Sequence, residues 1–408
     1  MATLARKPAT QGASALVLLL GASVTFNYID RSAIGIAAPL MTSDLGLSAT
    51  TFGLAVAAFY WIYAPIQLFL GRLCDRFSVY KLLALGTLLW SVSTLLMGFV
   101  AGFLSLFVLR LVLGVGESIF FPGSSKIICR HVPPDRRGIA NGIIALALAL
   151  GPALGTFVGG SLLASVGWRA MFIVFGLASA LWLVPWQRVV AALPAEVAVN
   201  EPSFPVRTIV GRWSLWAMGI GHALSNYGFY FLLAFLPLYL VKQRGFTIIE
   251  MTMVTTLGFA AQAIAAVTLG TVSDRWTRSG RSEATVRRSM LAGGQFVAGL
   301  AVMGIFLAND LVTIAVLLCI AGFATAALSL NLYAVAQMFA GPRASGTWVG
   351  VQNAVGNSSG IIGPVISGMI IDSAGYGGAF ALTAAVTIFG AIWWVVGVPR
   401  IAPITIPN

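Results

Sequence analysis

The chain is a succession of twelve apolar stretches separated by short polar segments. Each stretch has about 20 residues or more, which is enough for one α-helix to cross a bilayer. None alternates between polar and apolar residues like a barrel strand, and a backbone inside lipid must satisfy its own hydrogen bonds. The pattern predicts an all-α membrane protein with about twelve transmembrane helices. The stretches cover residues 14–38, 50–70, 82–101, 103–128, 138–163, 169–190, 213–240, 247–272, 289–308, 311–339, 345–371 and 378–398.

One charged block occurs twice, about two hundred residues apart. Residues 71–76 (GRLCDR) and 270–275 (GTVSDR) share the pattern Gly-x-x-x-Asp-Arg, and each follows a long apolar run. Repetition at half-length predicts a duplicated bundle with a central site between its halves. We predict two six-helix halves, residues 1–190 and 211–408. The Pro-rich residues 191–210 between them are too few for a folded domain, so we predict a cytoplasmic connector there.

The composition fits a membrane protein: 59% of the residues are hydrophobic and 9% are charged, against roughly 25% charged in soluble domains. The net charge of +12 could suggest nucleic acid as a partner. However, nineteen of the 24 Lys and Arg residues fall on one side of the predicted bundle, three fall on the other, and two fall within it. This is the positive-inside pattern. We therefore expect an inner-membrane protein with both termini in the cytoplasm and no nucleic-acid partner.

The sequence offers little for an enzyme. It contains two His and three Cys, and they form no metal-ligand or disulfide spacing. No nucleophile lies near a base in any recognisable motif. We therefore predict no enzymatic activity, no metal and no cofactor.

Four further stretches carry a resemblance to a known family. They are residues 27–31 (NYIDR), 110–122 (RLVLGVGESIFFP), 226–230 (NYGFY) and 353–357 (NAVGN). With the two Asp-Arg blocks, they resemble the major facilitator superfamily, and more closely its anion:cation symporter branch. The resemblance covers the whole chain and implies a secondary active transporter that works by alternating access.

The chain departs from that branch in the fifth apolar stretch. It has Leu-Ala-Leu-Ala-Leu at residues 146–150, where members that carry sugar acids place a polar side chain toward the substrate. This departure disfavours a polyhydroxylated substrate.

Four ionisable side chains lie inside predicted spans of the first half: Asp30, Arg31, Arg110 and Glu117. Each costs about 2.5–3.5 kcal/mol at mid-bilayer, so together they oppose insertion by about 10 kcal/mol unless paired or hydrated. Residues of this kind usually have partners and a function. Arg110 and Glu117 share a helix face about 10 Å apart, whereas the neighbours Asp30 and Arg31 splay by about 100°. We expect Asp30 to pair with Arg110, which leaves Arg31 for an anion and Glu117 for a proton.

The resemblance implies the same roles, with the substrate anion at Arg31, the coupling proton at Glu117 and a conformation-sensitive Asp30–Arg110 pair. Arg suits the first role because its planar fork holds a carboxylate through two hydrogen bonds. Burial of Glu117 would favour its neutral form and let it carry a proton. The alternative is a single buried ion network that only holds the helices together.

Neutral polar groups complete the predicted site. Candidates for substrate contact are Tyr63, Asn226, Tyr227, Asn353 and Asn357. Buried amides and phenols require hydrogen-bond partners. Hydrogen bonds between helices could account for about half of these groups, and contacts with the substrate for the rest.

The repeated charged blocks supply candidate gate residues. Asp75, Arg76 and Asp274 lie in predicted cytoplasmic turns. In the family such an Asp meets the N-terminus of a neighbouring helix and closes the cytoplasmic gate, and a carboxylate is favourable at that position. A solvated turn without a gating role is the alternative.

We therefore predict a monomeric, proton-coupled symporter of a small organic anion, whose partners are the anion, protons and the bilayer. The alternative is a proton-coupled exporter of drugs or lysolipids on the same fold. A channel and a membrane enzyme fit the sequence less well, because neither a filter loop nor a catalytic cluster is present.

Overall fold

The computed structural model describes residues 7–133, 136–193 and 206–403. Within these ranges the regular structure is entirely helical. The first group of helices is α1 (Lys7–Asp44), α2 (Ala49–Arg76), α3 (Val79–Met97), α4 (Phe103–Ser118), α5 (Phe120–His131), α6 (Arg137–Leu181) and α7 (Leu183–Ala191). The second group is α8 (Val206–Val210), α9 (Trp213–Lys242), α10 (Ile248–Arg278), α11 (Glu283–Leu307) and α12 (Leu311–Val396). We call α1–α7 the N-terminal half and α8–α12 the C-terminal half.

The number of membrane crossings follows from the lengths of the apolar helices. Nine candidate spans occur in the described part of the chain, and two of them, Ile139–Ala191 and Thr347–Val396, have 53 and 50 residues. A single crossing needs about 20 residues, so each of these two crosses twice. Helix α1 adds one more crossing, although its buried charges reduce its mean hydropathy. The prediction of about twelve transmembrane helices is confirmed.

Glycines make the turns inside the two longest helical segments. Gly167 in α6 has φ 83° and Gly375 in α12 has φ 74°. Residues with a Cβ rarely adopt this left-handed conformation. Each segment therefore reverses at its glycine and returns through the membrane.

An even number of crossings puts Lys7 and residue 403 at the same end of the bundle. We call it the near end, and we call the opposite end, with the turns at 45–48, 98–102, 243–247 and 308–310, the far end. Polar side chains start helices after three far-end turns: Ser48 caps α2, Thr247 caps α10 in a reciprocal box with Glu250, and Asp310 caps α12. Each satisfies amides that the first helical turn would leave unpaired.

The helices of the two halves meet backbone to backbone in the far half of the bundle. A Cβ placed on Gly35 of α1 would lie 2.0 Å from the carbonyl oxygen of Leu233 in α9. One placed on Gly53 of α2 would lie 2.2 Å from the carbonyl oxygen of Pro364 in α12. Small residues permit this close approach between membrane helices. The far end is therefore closed in this conformation.

Two apolar cores support this arrangement. The larger core crosses between the halves and includes Phe52 and Phe235, whose rings meet edge to face at 5.5 Å. The second core lies within the C-terminal half around Phe339, Trp348 and Trp394. The halves thus share a core in one region, while the C-terminal half has a further core of its own.

The structure corrects the placement of the repeated charged blocks. We predicted turns for both, but Asp75 and Arg76 belong to the last turn of α2, and Asp274 belongs to α10. Helix α2 continues because the Phe77 amide still donates to the carbonyl of Leu73. Of the predicted connector, residues 194–205 lie outside the described part of the chain, so the domain limits stay a prediction.

Candidate functional site

A buried ion pair joins α1 to α4 in the middle of the N-terminal half. Arg31 Nε donates to Glu117 Oε2 at 2.6 Å. Glu117 has no exposed surface, and Arg31 is 7% exposed. We expected Arg31 to be left for an anion and Glu117 for a proton, but in this conformation the two side chains pair with each other. Each neutralises the other, which offsets the cost of burying the two charges in a membrane-spanning bundle.

Aromatic rings surround the guanidinium of Arg31. Its Cζ lies 5.0 Å from the ring centre of Tyr28, 4.9 Å from that of Phe59 and 4.5 Å from that of Tyr63. Phe59 and Tyr63 are one helical turn apart on α2, and their rings stack at 4.9 Å. A cation is attracted to ring faces at these distances. The rings therefore hold Arg31 in place without occupying its hydrogen-bond donors.

Asp30 and Arg110 have separate partners. Asp30 Oδ2 accepts a hydrogen bond of 3.0 Å from Ser179 in α6. Arg110 donates to the backbone carbonyls of Ala55 and Val56 in α2 at 3.2 and 3.3 Å. The predicted Asp30–Arg110 pair is therefore wrong in this conformation. Because Asp30 and Arg31 diverge around α1, Arg31 points to Glu117 while Asp30 turns to α6.

Two buried polar atoms of the pair have no hydrogen-bond partner among the described residues. They are Arg31 Nη2, a donor, and Glu117 Oε1, an acceptor. Buried polar groups are normally satisfied, so these atoms mark a place where a polar ligand would gain bonds. A donor and an acceptor side by side suit a carboxylate together with a proton.

The C-terminal half contributes a chain of hydrogen bonds that begins at Tyr230. Its hydroxyl donates to Asn357 Oδ1 at 2.6 Å, and Asn357 Nδ2 donates to the carbonyl of Asn353 at 2.7 Å. Asn226 donates to the carbonyl of Gly356 at 3.1 Å. Three of the predicted contact residues are thus brought together, but these particular bonds are made within the protein.

Two tyrosines connect this network to the N-terminal half. The rings of Tyr60 and Tyr230 lie 4.5 Å apart across the interface. Tyr333 donates to Asn353 Oδ1 at 3.2 Å. Tyr60 in turn contacts Phe59, one of the rings around Arg31, at 4.8 Å, so the C-terminal half reaches the rings that surround Arg31.

Tyr227 has a different position from the other predicted contacts. Its hydroxyl lies 3.3 Å from Ser367 Oγ, and its ring lies against Gly363. It thus contacts a part of α12 further toward the far end than Asn357, the α12 partner of Tyr230. Its role in substrate binding stays a prediction.

The candidate gate residues are only partly described. Arg76 is exposed, and its guanidinium lies 5.8 Å from the ring centre of Phe77. The side chains of Asp75 and Asp274 lie outside the described residues. The gate function stays a prediction.

Sequence reasoning missed several residues of the site, among them Phe59, Ser179 and Tyr333. Phe59 is detectable in the sequence because it lies four residues before Tyr63, on the same helix face. Nothing local distinguishes Ser179 or Tyr333, because their partners lie 149 and 20 residues away. No cluster of three metal-ligating side chains occurs in the ranges that the structure covers.

A family comparison decides the identity. The sequence pattern of the Major Facilitator Superfamily matches residues 20–282 and 218–406. The chain belongs to this superfamily. The homologues and the fold are those of superfamily transporters. This superfamily protein is therefore a multi-pass membrane transporter and not an enzyme.

Curated superfamily relatives align along nearly the whole chain. A hexuronate transporter of Bacillus subtilis is 27% identical over 404 residues, 92% of each chain. A probable sulfoacetate transporter of Cupriavidus necator is 30% identical over 391 residues, 90% of this chain and 89% of the relative. A probable galactarate/D-glucarate transporter of Bacillus subtilis is 28% identical and covers 91% and 88%. These relatives agree with the predicted resemblance to the anion-transporter branch.

Solved structures confirm the fold. A bacterial homologue of the human lysosomal transporter Spinster, in an inward-facing and occupied conformation, superimposes with a TM-score of 0.79 at 20% identity. The match covers 94% of this chain and 96% of that one. The unoccupied form of the homologue gives 0.76 at 21% identity, covering 97% and 96%. At this identity the likeness concerns the fold alone.

Proposed function

We propose that this superfamily transporter carries a small organic anion together with a proton, in symport. The relatives are a hexuronate transporter and probable transporters of galactarate/D-glucarate and of sulfoacetate, and all these compounds are organic anions. The observation that carries the proposal is the buried Arg31–Glu117 pair. In it a guanidinium, which can bind an anion, is in direct contact with a carboxylate, which can take up a proton.

Coupling follows from competition for the guanidinium. In the conformation described here the Glu117 carboxylate occupies Arg31 Nε. Once Glu117 takes up a proton it loses its charge, and Arg31 becomes available to the substrate carboxylate. Nε and Nη2 together suit both oxygens of such a group. Loss of the proton restores the competition and displaces the anion, so each species favours the binding of the other.

Transport also requires the site to open alternately to the two sides. The far end of the bundle is closed by contacts between the halves, such as Phe52 with Phe235. We propose that these contacts separate when the halves rock around the central pair. Because nineteen of the 24 basic residues fall on the predicted inner side, we assign the near end to the cytoplasm of a bacterial-type inner membrane.

The substrate is an anion with few hydroxyl groups. Tyr230 donates its single hydroxyl proton to Asn357, and Asn226 and Asn357 each donate one amide hydrogen to a backbone carbonyl, so fewer donors remain for a polyol. The fifth predicted stretch has only Leu and Ala at residues 146–150. A rigid, largely apolar carboxylate would bind Arg31 and lie against the rings of Tyr28 and Tyr63 without leaving hydroxyls unpaired.

The test is uptake into proteoliposomes. Radiolabelled carboxylates, namely sugar acids, aromatic acids and short-chain acids, are offered with an imposed inward proton gradient. We expect accumulation of at least one apolar carboxylate and its collapse when a protonophore dissipates the gradient. Glu117→Gln should still exchange that anion but should not accumulate it. Proton-driven efflux in place of uptake would favour the exporter alternative, and unaltered accumulation by Glu117→Gln would contradict the coupling role.

A further inference from the structure

An apolar groove runs along the outer surface of the C-terminal half, from the near end to the middle of the bundle. It lies between α10, α11 and the first part of α12 and has a volume of about 410 Å³. Leu269, Trp276, Gly293, Phe323 and Ala327 are among its lining residues. Phe323 and Trp276 are 47% and 40% exposed. In a membrane-spanning bundle, this surface faces lipid.

Two adjacent glycines of α11 give the groove its depth. A Cβ on Gly294 would lie 2.8 Å from the carbonyl oxygen of Ala324, so α11 and α12 pack tightly there. A Cβ on Gly293 would meet nothing within 4 Å. Gly294 thus lets α11 and α12 pack closely, and Gly293 leaves open space next to this contact.

The near end of the groove is basic. Residues 274–288 contain five Arg against one Asp and one Glu. Arg275 and Arg281 are exposed, and the Arg281 guanidinium lies 5.4 Å from the ring centre of Trp276, which lines the groove. Positive charge therefore lies beside the apolar opening at the near end of the bundle, where the headgroups of one leaflet lie.

Two other arginines of this segment are engaged within the protein. Arg287 pairs with Glu283 at 2.7 Å, and Arg288 donates to the carbonyls of Val398 and Pro399. These bonds fix the start of α11 to its surroundings. Arg278 also has an interaction of its own. Arg275 and Arg281 are the exposed basic groups beside the groove that suit an external ligand.

We propose that this groove binds one anionic phospholipid, with an acyl chain between α10, α11 and α12 and the phosphate at Arg275 and Arg281. A guanidinium binds phosphate through paired hydrogen bonds, and basic pockets between membrane helices suit anionic headgroups. A free anion would gain nothing from the apolar groove, and a zwitterionic lipid would offset the phosphate charge. The site is separate from Arg31 and does not depend on the proposed transport function.

The experiment measures lipid retention by native mass spectrometry and thermal unfolding of the purified protein. The probes are dioleoylphosphatidylglycerol, dioleoylphosphatidylcholine and inorganic phosphate. We expect one phosphatidylglycerol to bind more tightly than phosphatidylcholine and to raise the unfolding temperature. The double variant Arg275→Gln/Arg281→Gln should weaken this binding about tenfold or more.

Two further variants keep the test decisive. Gly293→Leu fills the groove without removing charge and should weaken retention of phosphatidylglycerol as well. Arg188→Gln removes an exposed near-end charge from the other half and should retain the lipid like the wild type. Wild-type retention by the double variant, equal binding of phosphatidylcholine, or equal stabilisation by inorganic phosphate would overturn the proposal. Unfolding without added lipid shows whether each variant is folded.

Discussion

Asp372 of the C-terminal half caps a helix of the N-terminal half by bonding to Thr50. Asp372 Oδ2 accepts from the Thr50 amide at 2.8 Å and from its hydroxyl at 2.6 Å, and Oδ1 accepts from the Ala49 amide at 3.0 Å. These amides belong to the first turn of α2, where unpaired N–H groups and the helix dipole attract a carboxylate. One side chain thus ties the two halves together at the far end.

We predict that Asp372→Asn weakens the closed far end by about 1 kcal/mol, because the amide loses the charge that interacts with the helix terminus. The population with an open far end should rise about fivefold. The side chain of Thr256 bonds across the interface to Thr156. In a background without other cysteines, the labelling rate of Thr256→Cys would measure how often the far end opens. Thr50→Val, which keeps the backbone bonds, should have a smaller effect. An unchanged labelling rate in Asp372→Asn would show that the Asp372 contact does not hold the far end closed.

The second prediction concerns Arg31 as the anion anchor. Arg31→Lys keeps the charge but loses the planar fork and the contacts with three rings. We expect the affinity for the transported carboxylate to fall at least tenfold, because Lys binds as a point charge. Ligand-dependent thermal stabilisation would measure it, with Arg244→Lys at the far end as the matched control. Wild-type affinity in a folded Arg31→Ala protein would refute the assignment.

The membrane fold could be predicted from the sequence because lipid imposes strong rules on it. Length and hydropathy alone indicate the spans, and the repeated block indicates the duplication. The helical state of that block was not predictable from its charged residues. Asp75 and Asp274 suggest a solvated turn, but the backbone bonds of α2 and α10 continue through them.

The residues of the site could be predicted, but their pairing could not. Asp30, Arg31, Arg110 and Glu117 are conspicuous because charge is costly in a membrane. Which of them meet depends on the rotation of α1 against α4 and α6, which the sequence leaves free. The Asp30–Arg110 pair was predicted because opposite charges buried in a membrane usually neutralise each other. In the structure, the neutral partners Ser179 and the carbonyls of Ala55 and Val56 take its place.

The third prediction concerns the close approach of the halves at Gly53. Gly53→Ala would place a methyl group 2.2 Å from the carbonyl oxygen of Pro364, so α2 and α12 must move apart. We expect a more open far end and slower transport. Gly142→Ala in α6, where a Cβ meets nothing within 4 Å, is the matched control and should leave transport unchanged. Equal transport rates in the two variants would show that the far end closes without this contact.

The last prediction tests the coupling of anion and proton through Glu117. While Glu117 is charged, it competes with the substrate for Arg31, to which it is joined by a bond of 2.6 Å. Substrate affinity should therefore be highest at low pH and fall as the pH rises and Glu117 loses its proton. Glu117→Gln cannot acquire the competing charge, so its affinity should stay high and nearly independent of pH. Dissociation constants measured for the transported carboxylate between pH 5 and pH 9, in the wild type and in Glu117→Gln, give the comparison. A pH dependence that survives in Glu117→Gln would assign the coupling proton to another group, and Asp30, buried with one unpaired oxygen, would be the next residue to test.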